Sequence, residues 1–136
     1  MNEETVQAII SFLVYFSSGL GYLMVFTFIY IWVTPHAEIQ LIKNGSTAAS
    51  VSLIGAIAGY AIPLSKAIQQ SQSAMDLMVW ATLALIVQLI VFFALHLLIP
   101  KLSERIKNNG LAEAILLAGL SVVVGIINSA SMTEYL

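Results

Sequence analysis

The sequence predicts an all-α integral membrane protein, with four transmembrane helices arranged as a tandem duplication of a two-helix unit. Three observations lead there. The 136 residues are 60% hydrophobic and only 9% charged, whereas soluble domains carry roughly 25% charge. Four apolar stretches are each long enough to cross a bilayer, which takes about 20 residues. Two of the linkers between them share the same proline-to-Asn-Gly spacing. A chain this short cannot hide so much apolar surface from water, because small domains bury the smallest fraction of their surface. A soluble globular domain is thereby excluded, and so is disorder. The net charge of −2 leaves no basic footprint for nucleic acid. With no cysteine, disulfides, thiolate nucleophiles and thiolate metal sites are excluded.

The spans are expected over residues 6–33, 47–67, 74–99 and 111–132. Helices are favoured because lipid cannot satisfy backbone N–H and C=O groups, and the alternation of a barrel strand is absent. The first span is longer than a crossing needs. It has to tilt, or bend at Ser17, Ser18, Gly19 and Gly21. Its acidic start, Glu3 and Glu4, and its long apolar run are unlike a cleaved signal peptide. Residues 1–73 and 74–136 then form the first and second two-helix repeats.

An even number of spans puts both termini on one face. The linkers 34–46 and 100–110 share the other face and hold Lys43, Lys101, Arg105 and Lys107, while the terminal face holds Lys66 alone. Lys and Arg accumulate on the cytoplasmic side. Both termini are therefore expected outside the cytoplasm, in a periplasm if the cell is Gram-negative. Tyr30 and Trp32 would then lie at the inner interface and Trp80 near the outer one.

Each linker runs from proline (Pro35, Pro100) to Asn-Gly (Asn44-Gly45, Asn109-Gly110). Proline suits the first turn of a helix, and glycine after asparagine suits a left-handed stop. Ile39, Leu41 and Ile42, and likewise Leu102 and Ile106, alternate with charges. Each linker is expected to be a short helix lying apolar side down on the membrane surface.

Small residues recur at Ala48, Ser52, Gly55 and Gly59 in the second span, and at Ala114, Ala118, Ser121 and Gly125 in the fourth. Both sets step by four, three and four. Lipid supplies no hydrophobic force between helices, so close backbone approach through small residues must hold them. These residues are expected to pack helices, either within the bundle or between copies in a homo-oligomer. Two units of two helices are parallel repeats, related by an axis along the membrane normal.

Ionisable groups at membrane depth are functional candidates by default. Here the polar candidates are Gln88 and Asn128 within the spans, His96 one turn before Pro100, and Lys66 three residues after Pro63. Their bland reading is interhelical bonding for the two amides, packing for His96 and snorkelling for Lys66. The sharper reading is a polar path through an oligomer. Catalysis needs a positioned acid and base, or a nucleophile with a base. No Asp, Glu or Arg stands in the spans away from their ends. His36 and Glu38, two residues apart, point in different directions on a helix. No metal cluster, phosphate loop or cofactor motif is present. No cofactor and no enzymatic activity are expected.

The run from Phe26 to Ala67 includes TPH-x-E, QLIKN and TAAS, then a glycine-containing span and IPLS. It resembles the YjfL-type bacterial inner-membrane proteins, the DUF350 class. The second half adds ALIVQLIVF, a proline, a short basic linker and a span closing on Gly125 and Asn128. The resemblance covers nearly the whole chain. Its most recognisable motif falls on Pro35, His36, Asn44, Thr47, Ala48, Ala49 and Ser50. It implies a tandem two-helix membrane domain of uncharacterised role, loosely associated with envelope stress and membrane scaffolds, and it carries no catalytic residue. Locally, Ser46 or Thr47 is expected to cap the second span. The expected partners are membrane lipids, further copies of the chain and a peripheral cytoplasmic stress or scaffold protein met by the linkers. The rival expectation is an oligomeric pore or small-ion channel.

Overall fold

The computed structural model describes residues 2–34 and 38–132. Among them are six helices: α1 (Glu3–Val33), α2 (Glu38–Lys43), α3 (Thr47–Gln70), α4 (Ala74–Leu98), α5 (Leu102–Lys107) and α6 (Leu111–Ala130). Four of these, α1, α3, α4 and α6, are long and apolar enough to cross a membrane. The short α2 and α5 share one end of the bundle, here the linker end. The start of α1, the α3–α4 connection and the end of α6 share the other, here the terminal end.

Polar side-chain caps set where three of the four long helices, α1, α3 and α4, begin. Asn2 Oδ1 accepts from Thr5 N at 2.8 Å, Ser46 Oγ accepts from Ala49 N at 3.1 Å and Ser73 Oγ accepts from Asp76 N at 3.1 Å. Each occupies one of the backbone donors that a helix start leaves without an internal partner. Glu3 and Glu4 in the first turn of α1 also complement the helix dipole. At 31 residues, α1 is about 46 Å long. It runs without interruption through residues 17–21, so its excess length is not relieved by a break there.

The central pair is α3 and α6, which run parallel. Gly55 abuts Ala118 so closely that no Cβ fits, and Gly125 meets the carbonyl of Gly59 in the same way. A Cβ on Gly59 would lie 2.6 Å from Ser121 O. Without side chains at these points the two backbones touch, the geometry that small residues permit in lipid. α4 lies antiparallel against both, and α1 leans chiefly on α3. The core on the α1 side stacks Phe26 on Tyr60, ring centroids 4.7 Å apart, and sets Tyr30 edge-on to Phe92 at 4.8 Å. A second core at the linker end gathers Ala48, Leu95, Leu102, Ile106, Ala114 and Leu117. α1 is the least covered span: only Gly19, Phe26 and Tyr30 are buried along it, with Tyr15, Tyr22, Leu23, Ile31 and Val33 partly buried against the core.

The linkers differ from the surface helices expected of them. Leu102 and Ile106 of α5 are buried against the bundle itself. In α2 the buried residue is Glu38, while Ile39 is exposed. Both short helices dock on protein because the starts of α3 and α6 offer small residues to pack on. The Asn-Gly correspondence also shifts. Both linker helices end in the same pair of backbone bonds, Ser46 N to Leu41 O with Gly45 N to Ile42 O, and Gly110 N to Arg105 O with Asn109 N to Ile106 O. This is the Schellman stop. Its left-handed residue is Gly45 in the first linker and Asn109, not Gly110, in the second. Asparagine tolerates that conformation. Gly110 is needed for a different reason: a Cβ there would lie 2.7 Å from Arg105 O. Pro100 does not open α5; Lys101, itself at φ 59, stands between Pro100 and Leu102.

Candidate functional site

Two buried polar clusters lie within the bundle. The first sits at the linker end, where α1, α2 and α3 converge. Glu38 is 0% exposed. Tyr30 OH donates to its Oε1 at 3.3 Å. Ser52 Oγ lies 3.2 Å from the same oxygen and 3.1 Å from Ala49 O, so its one proton is shared between them. Thr34, also buried, donates its hydroxyl to Tyr30 O. The arrangement follows from helix geometry. Tyr30 is on the last turn of α1, α2 folds back after the linker, and Ser52 stands on the α3 face that receives it. By order in their helices, Glu38 opens α2 as Leu102 opens α5, and both are buried. A carboxyl group therefore occupies the place that a leucine fills in the other linker.

The second cluster lies at mid-bundle. Gln88 Nε2 donates to Ser121 O at 3.2 Å. Asn128 Nδ2 donates to Ala84 O at 3.3 Å and lies 3.4 Å from Gln88 Oε1. Tyr60 OH donates to Ala81 O at 2.9 Å. These bonds tie α4 to both members of the central pair. Three of the four run from a side chain to a backbone carbonyl, where a helix loses nothing by accepting a second bond.

Of the four polar candidates in the sequence, the structure brings Gln88 and Asn128 together. His96 stands apart at the linker end, one ring nitrogen 2.9 Å from Phe92 O and the other 2.9 Å from Ser103 Oγ. Lys66 lines an open pocket near the terminal end with Ser65, Gln69 and Ser129. Of the recognisable motif, Pro35 and His36 lie outside the described residues. Asn44 is in the exposed turn after α2, Thr47 opens α3, and Ala48 and Ala49 are fully buried. Ser50 Oγ lies 3.2 Å from Ser46 O. Of the small-residue stripes, Ala48, Ser52, Gly55, Gly59, Ala114, Ser121 and Gly125 are buried, and Ala118 abuts Gly55.

Two residues escaped the sequence reading. The sequence places Glu38 in a linker helix on the membrane surface, and only its proximity to Tyr30 and Ser52 in space reveals its burial. The sequence reads Asn109 as part of a stop signal, yet its Oδ1 accepts from Ala48 N at 3.0 Å. It thereby caps α3 from the other linker. No group of three or more metal-ligating acids, histidines or cysteines occurs among the described residues.

Fold and clusters together define a class: a four-span helical membrane protein whose buried polar groups join helix to helix. The chain belongs to the family described as Domain of Unknown Function (DUF350), which matches residues 4–132. It is 41% identical over 128 residues to the UPF0719 inner membrane protein YjfL of Escherichia coli (strain K12), covering 94% of this chain and 97% of that one. It is 25% identical over 130 residues to the UPF0719 transmembrane protein YshE of Bacillus subtilis (strain 168), covering 91% and 97%. No solved structure matches.

Proposed function

We propose that this is a non-enzymatic inner-membrane scaffold that works as a homo-oligomer. The observation that carries the reading is how the polar and small residues are used. Gln88 and Asn128 are bonded to each other and to backbone carbonyls, and Gly55, Gly59 and Gly125 close the α3–α6 seam. That is the construction of a rigid support; these amides do not line a wet path within one copy, which counts against the pore. Because the glycines are engaged within the chain, self-association falls to α1, whose Phe28 and Trp32 are 73% and 85% exposed. Single cysteines at positions 16 and 28 of the cysteine-free chain are expected to crosslink copies in native membranes. Monomer alone, both by crosslinking and by native mass spectrometry in mild detergent, overturns the reading.

Two related units, residues 1–73 and 74–136, account for the seam. Gly59 and Gly125 are corresponding members of the two small-residue stripes, and their facing one another supports an axis along the membrane normal between the two units. In this reading both termini are periplasmic. The bases Lys43, Lys101, Arg105 and Lys107 face the cytoplasm, where they meet lipid headgroups or a peripheral partner in an envelope-stress role. A cysteine at Asn44 that reacts with an impermeant reagent added outside intact cells refutes this orientation.

A further inference from the structure

We propose that the cleft beside Lys66 is a binding site for a phospholipid of net negative charge, its headgroup at Lys66 and one acyl chain between α1 and α3. Three features of the cleft coincide. Lys66 is half-buried near the end of α3 and makes no hydrogen bond or ion pair among the described residues. Its pocket, about 450 Å³, also holds Ser65, Gln69 and Ser129. Gln69 Nε2 donates to Ser65 Oγ at 3.0 Å, which leaves the Ser65 proton available to an anionic oxygen. The described lining contains no carboxylate, so nothing there would receive the ammonium of a zwitterionic headgroup. The charge in the pocket selects an anion.

The second feature is a groove of about 280 Å³ that shares Ala61, Ser65 and Gln69 with the pocket. Its walls include Phe16, Leu23, Leu64 and Ile68, and Gly19 leaves its α1 side open. A Cβ on Gly19 would lie 2.9 Å from Ile68 Cδ1, so the glycine makes room for the end of that side chain at the groove wall. The third feature is polarity with depth. From Gln69 down to Ala61 the groove descends about 12 Å along α3, charged and hydroxylated at its mouth and apolar below. A lipid has the same order of parts, and a free anion would leave the groove unused.

The test uses the full chain in nanodiscs with spin-labelled phosphatidylglycerol or spin-labelled phosphatidylcholine as probe. The wild type is expected to immobilise phosphatidylglycerol about fivefold more strongly, the factor for one lysine near an anionic surface. Lys66→Gln is expected to erase the preference and Lys66→Arg to keep it. Ala61→Phe, which fills the groove, is expected to lower the immobilised fraction of both lipids. A double variant at the linker end, Lys101→Gln with Lys107→Gln, is expected to leave the preference in place. The proposal is overturned if the wild type shows no preference, if Lys66→Gln retains it, if Ala61→Phe leaves the immobilised fraction unchanged, or if the linker-end variant removes the preference equally. Should Lys66→Gln fail to fold, the wild type, the Ala61→Phe variant and the linker-end variant still decide.

Discussion

Tyr30 donates its phenolic hydrogen to Glu38 and so joins the last turn of α1 to the first residue of α2. Ser52 approaches the same carboxylate oxygen from α3. One side chain thus fixes three helices at the linker end. A buried acceptor that loses its donor, or a donor that loses its acceptor, costs about 1–3 kcal/mol. Glu38→Ala leaves two hydroxyls facing a void and is expected to lower unfolding stability in detergent by about 2–3 kcal/mol. Glu38→Gln, which keeps an acceptor of the same shape, is expected to cost less than half of that. A double-mutant cycle with Tyr30→Phe checks the assignment. The two substitutions should couple, and strict additivity would mean that the bond contributes nothing.

The α3–α6 seam separates glycines that matter from those that do not. Gly125→Ala places a methyl against the backbone of Gly59 and is expected to cost about 1–3 kcal/mol by overpacking. Gly21 and Gly119 have nothing within 4 Å of an added Cβ. Alanine at either position is expected to be neutral or to stabilise by about 0.5–1 kcal/mol, since glycine loses more freedom in a helix. Thermal unfolding of the three single variants in one detergent tests the ranking. Equal effects at positions 119 and 125 would refute the close seam.

Gln88 and Asn128 carry the difference between support and pore. Interhelical side-chain bonds in membranes average about 0.6 kcal/mol. Asn128→Leu is accordingly expected to lower stability by about 1 kcal/mol and to leave proteoliposome ion flux at the level of empty vesicles, as in the wild type. Selective flux in the wild type that disappears in Asn128→Leu would replace the scaffold reading with the pore.

The four spans were legible in the sequence because lipid demands a long apolar run, and such a run is visible without any knowledge of packing. Their ends were less so. α1 begins at Glu3, where the Asn2 cap lets polar residues join the helix, and α3 continues past the apolar run to Gln70. The amides Gln88 and Asn128 were visible as polar residues in apolar surroundings, but their pairing depends on the crossing of α4 and α6. Glu38 was illegible for a physical reason. EIQLIK reads locally as an amphipathic surface helix, and its burial is decided by Tyr30 and Ser52, eight and fourteen residues away. Lys66 was legible as a cation near a span end, fit to snorkel or to line a path; the adjoining groove exists only once α1 lies beside α3.

Asn109 combines two roles that substitutions can separate. Its backbone is left-handed at φ 62, and its side chain caps α3 by accepting from Ala48 N. Asn109→Gly keeps the backbone at no steric cost and removes the cap, a loss of about 1 kcal/mol. Asn109→Ala removes the cap and adds the left-handed penalty of an ordinary L residue, about 1–2 kcal/mol. The alanine variant is therefore expected to be the less stable of the two by about 1 kcal/mol or more, measured by unfolding in the same detergent. Equal losses would show that the turn relaxes to another conformation once the side chain is gone. A glycine variant as stable as the wild type would show that water serves Ala48 N as well as Asn109 does, and the cross-linker cap would then be a contact without energetic weight.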